Sequence, residues 1–104
     1  MSFDIDAVLG DMLIAVKDSV DADWDDVKGY AKQVFENEKE ALAELAEQRL
    51  RGKITEEELK SELDDEKDTV EAELKAIQVM TKAMAQRAAN AAMDVLSKAI
   101  KAAL

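Results

Sequence analysis

The turn at the middle of the chain decides the fold, and it is encoded by residues 49–59, which read RLRGKITEEEL. Cationic side chains followed by Gly52 are a common helix ending, because arginine complements the negative end of the helix dipole and glycine adopts the backbone conformation that follows. Thr55, with Glu58 three residues later, forms the S/T-x-x-E capping box that starts a helix. The stretch therefore predicts a turn at residues 52–54 and a new helix from Thr55 onward.

Helical periodicity extends from this turn in both directions. Before it, we predict a helix over about residues 3–20 and a second over about 22–51, with a kink where short acidic residues at 18–23 interrupt the apolar stripe. After it no proline or glycine occurs, so we predict one helix over about 55–103. At about 1.5 Å per residue that helix would be on the order of 75 Å long. The fold class is all-α, with a single helical domain over 1–104.

The two arms of the chain can pair as a long antiparallel helical hairpin with a kinked first arm. A turn at 52–54 places apolar residues of the two arms opposite one another: Leu45 with Leu59, Leu42 with Leu63, and Phe35 with Val70. Such a hairpin buries only one seam, which is too little core to offset the conformational entropy. We therefore predict a homodimer that forms a four-helix bundle, with the alanine-rich residues 82–92 at the contact between subunits. The alternative is a monomer in which the first helix folds back as a third helix.

The composition excludes several kinds of active site. The 104 residues include no cysteine and no histidine, which removes thiolate catalysis, imidazole acid–base chemistry and the metal motifs that need either side chain. No nucleophile and base occur at a recognisable spacing, so we expect no enzyme activity. The net charge of −10 argues against nucleic acid as a partner, because the phosphates would be repelled.

The sequence shows neither a membrane span nor a signal peptide. No segment approaches the roughly 20 consecutive apolar residues that a span needs. The N-terminus carries Asp4 and Asp6 where a signal peptide would have basic residues. We therefore expect a soluble, cytoplasmic protein that does not contact membranes.

Two glutamates interrupt the apolar pattern at the same level of the predicted hairpin. Glu38 lies at the centre of the stripe before the turn and Glu66 at the centre of the stripe after it, with Glu62 one turn earlier. Buried carboxylates raise one another's pKa unless protons, cations or water compensate. We identify Glu38, Glu66 and Glu62 as candidate ligands of a divalent metal, and an all-oxygen set suits Mg, Ca or Mn. The alternative is that these glutamates are solvated or pair with Lys39 or Lys67.

Two functions are compatible with these features. The first is a structural or protein-interaction module, a small acidic homo-oligomer that engages a protein partner. The second is a carboxylate-rich four-helix bundle that binds iron or a similar metal. Di-iron bundles place a histidine three residues after a glutamate, and this chain has no histidine to do so.

Aromatic residues near the predicted kink form a further candidate surface. Trp24, Val27 and Tyr30 follow one another at helical spacing, which is typical of core residues. A small binding patch is the alternative.

Overall fold

A computed structural model describes residues 3–104, and within that range the chain forms four helices and no strand. They are α1 (Ile5–Ser19), α2 (Trp24–Leu50), α3 (Glu56–Lys75) and α4 (Lys82–Ala103). The all-α prediction is confirmed. None of the four is both long enough and apolar enough to cross a membrane.

The break between α1 and α2 lies where the sequence predicts the kink. Helix α1 ends at Ser19, and the backbone becomes extended at Val20. Asp23 caps α2, because its carboxylate accepts a hydrogen bond from the backbone N–H of Asp25 at 3.1 Å. The chain reverses direction here, so that α1 lies against α2 rather than extending it.

The central turn forms as the sequence predicts. Gly52 has a φ of +73°, a conformation that side-chain-bearing residues rarely adopt. The Thr55 hydroxyl accepts from the Glu58 N–H at 3.1 Å, and the Thr55 N–H donates to the Glu58 carboxylate at 2.9 Å. Across the turn, the guanidinium of Arg49 contacts the carboxylate of Glu56 at 3.0 Å. Helices α2 and α3 are therefore joined as an antiparallel hairpin at the expected place.

The predicted single helix over 55–103 is wrong, because residues 76–81 separate α3 from α4. Thr81 caps the new helix, and its hydroxyl accepts from the Met84 N–H at 3.2 Å. Ile77 and Met80 are buried, which anchors the connection to the core. The break needs neither proline nor glycine, since burying the apolar face of α4 against the other helices outweighs the helix propensity of this short connection.

The four helices pack as a ring in which every neighbour is antiparallel. Helix α4 folds back along both α3 and α1, and the most extensive backbone contact in the molecule is between α1 and α4. At one end of that pair the guanidinium of Arg87 donates to the Ser19 carbonyl oxygen at 3.3 Å. An ion pair between Asp6 and Lys39, at 2.6 Å, links α1 to α2. The molecule measures 40 × 23 × 19 Å, about half the length of the long hairpin that the sequence predicts.

The alanine-rich face of α4 is buried within the chain. Four of its alanines have no exposed surface in the single chain: Ala85, Ala88, Ala89 and Ala92. The predicted subunit contact over 82–92 is therefore wrong, because this close-packing surface is already covered by the neighbouring helices of the same chain. One chain supplies four helices and one continuous core, so the shortage of core that suggested a dimer does not arise.

Replacing Thr81 with Ala is expected to lower the free energy of unfolding by about 1 kcal/mol, because the first turn of α4 loses its capping acceptor. Urea denaturation followed by circular dichroism measures the change. Thr81→Ser is the matched control, since serine keeps the hydroxyl and should retain most of the stability. Equal stability of the Ala and wild-type proteins would show that the cap does not hold the start of α4.

Candidate functional site

Three half-buried glutamates meet where α2 and α3 pack together. Glu38 comes from the middle of α2, while Glu66 and Glu73 come from α3. Residues seven apart lie about two turns along the same face of a helix, so both α3 carboxylates face α2. The Glu38 carboxyl group is close enough to both of them to raise the pKa of each. We call these three residues the Glu38 cluster.

The Glu38 cluster favours bound protons. Partial burial raises the pKa of Glu66, and the charge of Glu38 and a hydrogen bond with it raise that pKa further. Partial burial, a hydrogen bond with Glu38 and the charges of Glu38 and Glu66 raise the pKa of Glu73 to about 7. Glu73 therefore binds a proton near neutral pH more readily than an ordinary glutamate does.

The candidate metal ligands occupy different environments. The hairpin register brings Glu38 and Glu66 together as predicted, whereas Glu62 is exposed and acts on Glu66 only through its charge. Residues 3–104 contain no group of three or more acidic side chains arranged to hold a metal ion. Lys39 does not neutralise Glu38, because it pairs with Asp6 instead.

Glu73 belongs to the Glu38 cluster but is not in the candidate ligand set. Its distance of seven residues from Glu66 places it on the same helix face, and this spacing is visible in the sequence. The hairpin register predicts only Glu66 as the partner of Glu38, however, because it places one residue of α3 opposite each residue of α2. In the folded chain Glu38 interacts with both of these α3 carboxylates.

An open groove lies beside the Glu38 cluster, between α2 and the connection that joins α3 to α4. It has a volume of about 770 Å³ and is lined by Asp26, Tyr30, Gln33, Val34, Asn37, Glu73, Ala76, Ile77, Gln78 and Val79. We call it the Tyr30 groove. Glu73 belongs to both, so the groove adjoins the cluster at this residue.

Apolar surface is exposed at the Tyr30 groove. The side chain of Tyr30 is 65 % exposed and that of Val79 is 43 % exposed. Val27 is fully buried, in agreement with a core role, and Trp24 is half-buried. Tyr30 therefore does not belong to the core, so the core interpretation holds for Val27 but not for Tyr30. The exposure of Tyr30 is not predicted from the sequence because the break at 76–81 is not predicted either. This break brings Ile77 and Val79 beside Tyr30.

Replacing Glu73 with Gln is expected to flatten the dependence of stability on pH. A raised pKa in the folded chain means that protons bind more tightly there than in the unfolded chain, so the stabilising effect is complete below about pH 4.5 and is lost as the pH rises through about 7. Glutamine removes the charge, so the variant should gain about 1 kcal/mol at high pH, after allowance for solvent screening, and little at low pH.

Urea denaturation across this pH range tests the expectation. Asp68→Asn is the control, because Asp68 is exposed on the same helix. Parallel curves for the Glu73→Gln variant and the wild type would contradict the proton affinity of the cluster.

A scan against protein-family models, a search of curated proteins and a search of solved structures each return no match to this chain.

Proposed function

We propose that this chain is a small acidic protein-interaction module, without enzyme activity, that engages its partner through the Tyr30 groove. The observation that carries the proposal is the apolar surface exposed at the Tyr30 groove of a chain that already buries a continuous hydrophobic core. Tyr30 and Val79 are large, exposed and adjacent to the same groove, although most of the large apolar residues of the chain are buried. Contiguous exposed apolar surface with a polar rim is typical of interaction sites.

A site-specific crosslink tests this proposal. The chain contains no cysteine, so Val79→Cys provides a unique attachment point for a photoactivatable group at the groove. Ile14→Cys is the matched control, because Ile14 is an aliphatic residue of α1 that is 57 % exposed and does not line the groove.

In an extract of the cells that produce the protein, we expect a discrete crosslinked product from position 79 and none of that size from position 14. Excess unlabelled wild-type protein should suppress the product, and excess Tyr30→Ala protein should not. The same products from both positions, or equal competition by both proteins, would overturn the proposal.

Self-association is a separate question, which sedimentation equilibrium answers. The homodimer inferred from the sequence rested on a shortage of core, and that reason disappears when one chain supplies four helices. We expect a mass near the 11.5 kDa of one chain. A mass twice as large, reduced to that of one chain by Tyr30→Ala, would make the partner a second copy.

Metal binding is the second candidate function, and the close approach of Glu38 to Glu66 favours it. A divalent cation would relieve the repulsion that raises the pKa of Glu66. Native mass spectrometry with manganese, calcium or ferrous iron tests it. Stoichiometric adducts that vanish in Glu38→Gln and persist in Glu40→Gln, an exposed neighbour on α2, would support it. Adducts equal in both variants would reject it.

A further inference from the structure

The Tyr30 groove combines two recognition features in one place. Tyr30 and Val79 present apolar surface, while Asp26 and Glu73 contribute carboxylates to the lining. Neither lysine nor arginine is found among the groove residues that the structure describes. An occupant that matches this surface has to cover apolar area and bring positive charge with it.

We propose that the Tyr30 groove binds a cationic amphipathic segment of a partner protein, whose apolar side chains cover Tyr30 and Val79 while a lysine or arginine pairs with Glu73. This inference rests on the proposed function and names the chemistry of the partner. Charge favours this occupant over the same groove of a second copy. Two acidic grooves facing each other would place like charges together, on molecules that each carry a net charge of −10.

The surroundings of Glu73 strengthen its attraction for a cation. Glu38 of α2 and Glu66 of α3 are the charged groups that act on it, and Asp26 of α2 lines the same groove. The connection over 76–80 contributes no ionisable side chain. A lysine or arginine placed beside Glu73 therefore relieves repulsion within the cluster as well as forming its own ion pair.

This arrangement makes binding depend on pH. Partial burial and the neighbouring carboxyl groups raise the pKa of Glu73 to about 7, so the carboxylate that receives the cation is fully formed only above neutral pH. The lysines of a bound segment stay charged throughout this range. Affinity should therefore increase between about pH 6 and about pH 8 because of Glu73.

The probe is a fluorescently labelled amphipathic helical peptide made of leucine and lysine, and its binding is followed by fluorescence anisotropy. Two peptides of the same length separate the contributions. One replaces every lysine with glutamate, and the other replaces every leucine with serine. We expect the leucine–lysine peptide to bind, the glutamate peptide not to bind, and the serine–lysine peptide to bind weakly and only at low salt.

Matched variants locate the site. Tyr30→Ala should weaken binding of the leucine–lysine peptide about tenfold, as expected for a central aromatic contact. Glu73→Gln should weaken it about threefold at high pH and remove the pH dependence. Ile14→Ala and Asp68→Asn, which alter an exposed aliphatic and an exposed acidic residue elsewhere, should leave it unchanged. Circular dichroism confirms that each variant is folded.

The outcomes separate this inference from the proposed function. Equal binding of the glutamate peptide, or unchanged binding of the leucine–lysine peptide to Tyr30→Ala, would overturn the inference that the groove binds a cationic segment. If a product forms specifically at position 79 in the crosslinking experiment but the leucine–lysine peptide does not bind, the groove has a partner of different chemistry and only this inference fails. If the peptide binds at Tyr30 but no product forms at position 79, the proposed function fails instead.

Discussion

Replacing Phe35 with Ala should lower the free energy of unfolding by about 3–5 kcal/mol. Phe35 is the largest of the fully buried side chains, with 1 % of its surface exposed. Its removal takes the transfer free energy of an aromatic ring from the core and leaves a cavity that four packed helices can fill only in part. A domain of this size has a total stability of about 5–15 kcal/mol, so the loss is a large fraction of it. Urea denaturation at constant pH measures the change.

Tyr30→Ala is the control for Phe35→Ala, because both changes remove an aromatic ring from α2. Tyr30 is mostly exposed, so its truncation should change the free energy of unfolding by less than about 0.5 kcal/mol. Phe35→Leu should fall between Phe35→Ala and the wild type, since leucine fills most of the volume. Similar losses for the Phe35 and Tyr30 truncations would contradict the packing of α2 against the core.

Replacing Ala88 with Leu is expected to destabilise the protein by about 1–3 kcal/mol. Ala88 has no exposed surface and lies in α4 next to Arg87, whose guanidinium bonds to the last residue of α1. A position with no free surface can accept three further carbon atoms only if the packed helices move apart. The larger side chain therefore forces a displacement of the helices. Thermal and urea denaturation both measure the loss.

Ala83→Leu is the matched control, because Ala83 is exposed on the same helix. Alanine and leucine have nearly equal helix propensities, so this variant should remain within about 0.5 kcal/mol of the wild type. The comparison also tests the fold itself. Equal stabilities of the two leucine variants would contradict the burial of Ala88 in the four-helix arrangement.

Local signals in the sequence are sufficient to predict where α2 and α3 begin. Thr55 and Glu58 satisfy each other's backbone groups within four residues, so the start of α3 depends on no distant contact. Asp23 caps α2 in the same local way. These predictions hold in the folded chain because each capping interaction is complete within one helical turn.

The start of α4 could not be predicted with the same ease. Thr81 is a capping residue, but the side chain three residues later is Met84, which cannot complete the reciprocal hydrogen bond of a capping box. Apolar residues also continue through 76–80, so the periodic stripe shows no interruption. Tertiary packing produces the break between α3 and α4. The alanines of α4 are buried and α4 packs against α1, which stabilises a break that local helix propensity does not require.

The candidate site shows the same division between local and tertiary information. The antiparallel register of α2 and α3 follows from the position of their turn, and it brings Glu38 to Glu66. The Tyr30 groove depends instead on the connection after α3, which places Ile77 and Val79 beside α2. Without the break at 76–81 these residues continue a helix, so the sequence alone gives no reason to see a groove.

The antiparallel ring of helices also determines where attachments to the chain would sit. Phe3 shares a surface depression with Leu50 and Arg51, so the beginning of the described chain lies at the end of the bundle that carries the central turn. Helix α4 runs towards the same end, where Ser97 lies near Glu56. The connection bearing Val79 is at the opposite end of a molecule 40 Å long. An affinity tag, a fluorophore or a tethering surface joined to either terminus therefore leaves the Tyr30 groove facing away from it and accessible.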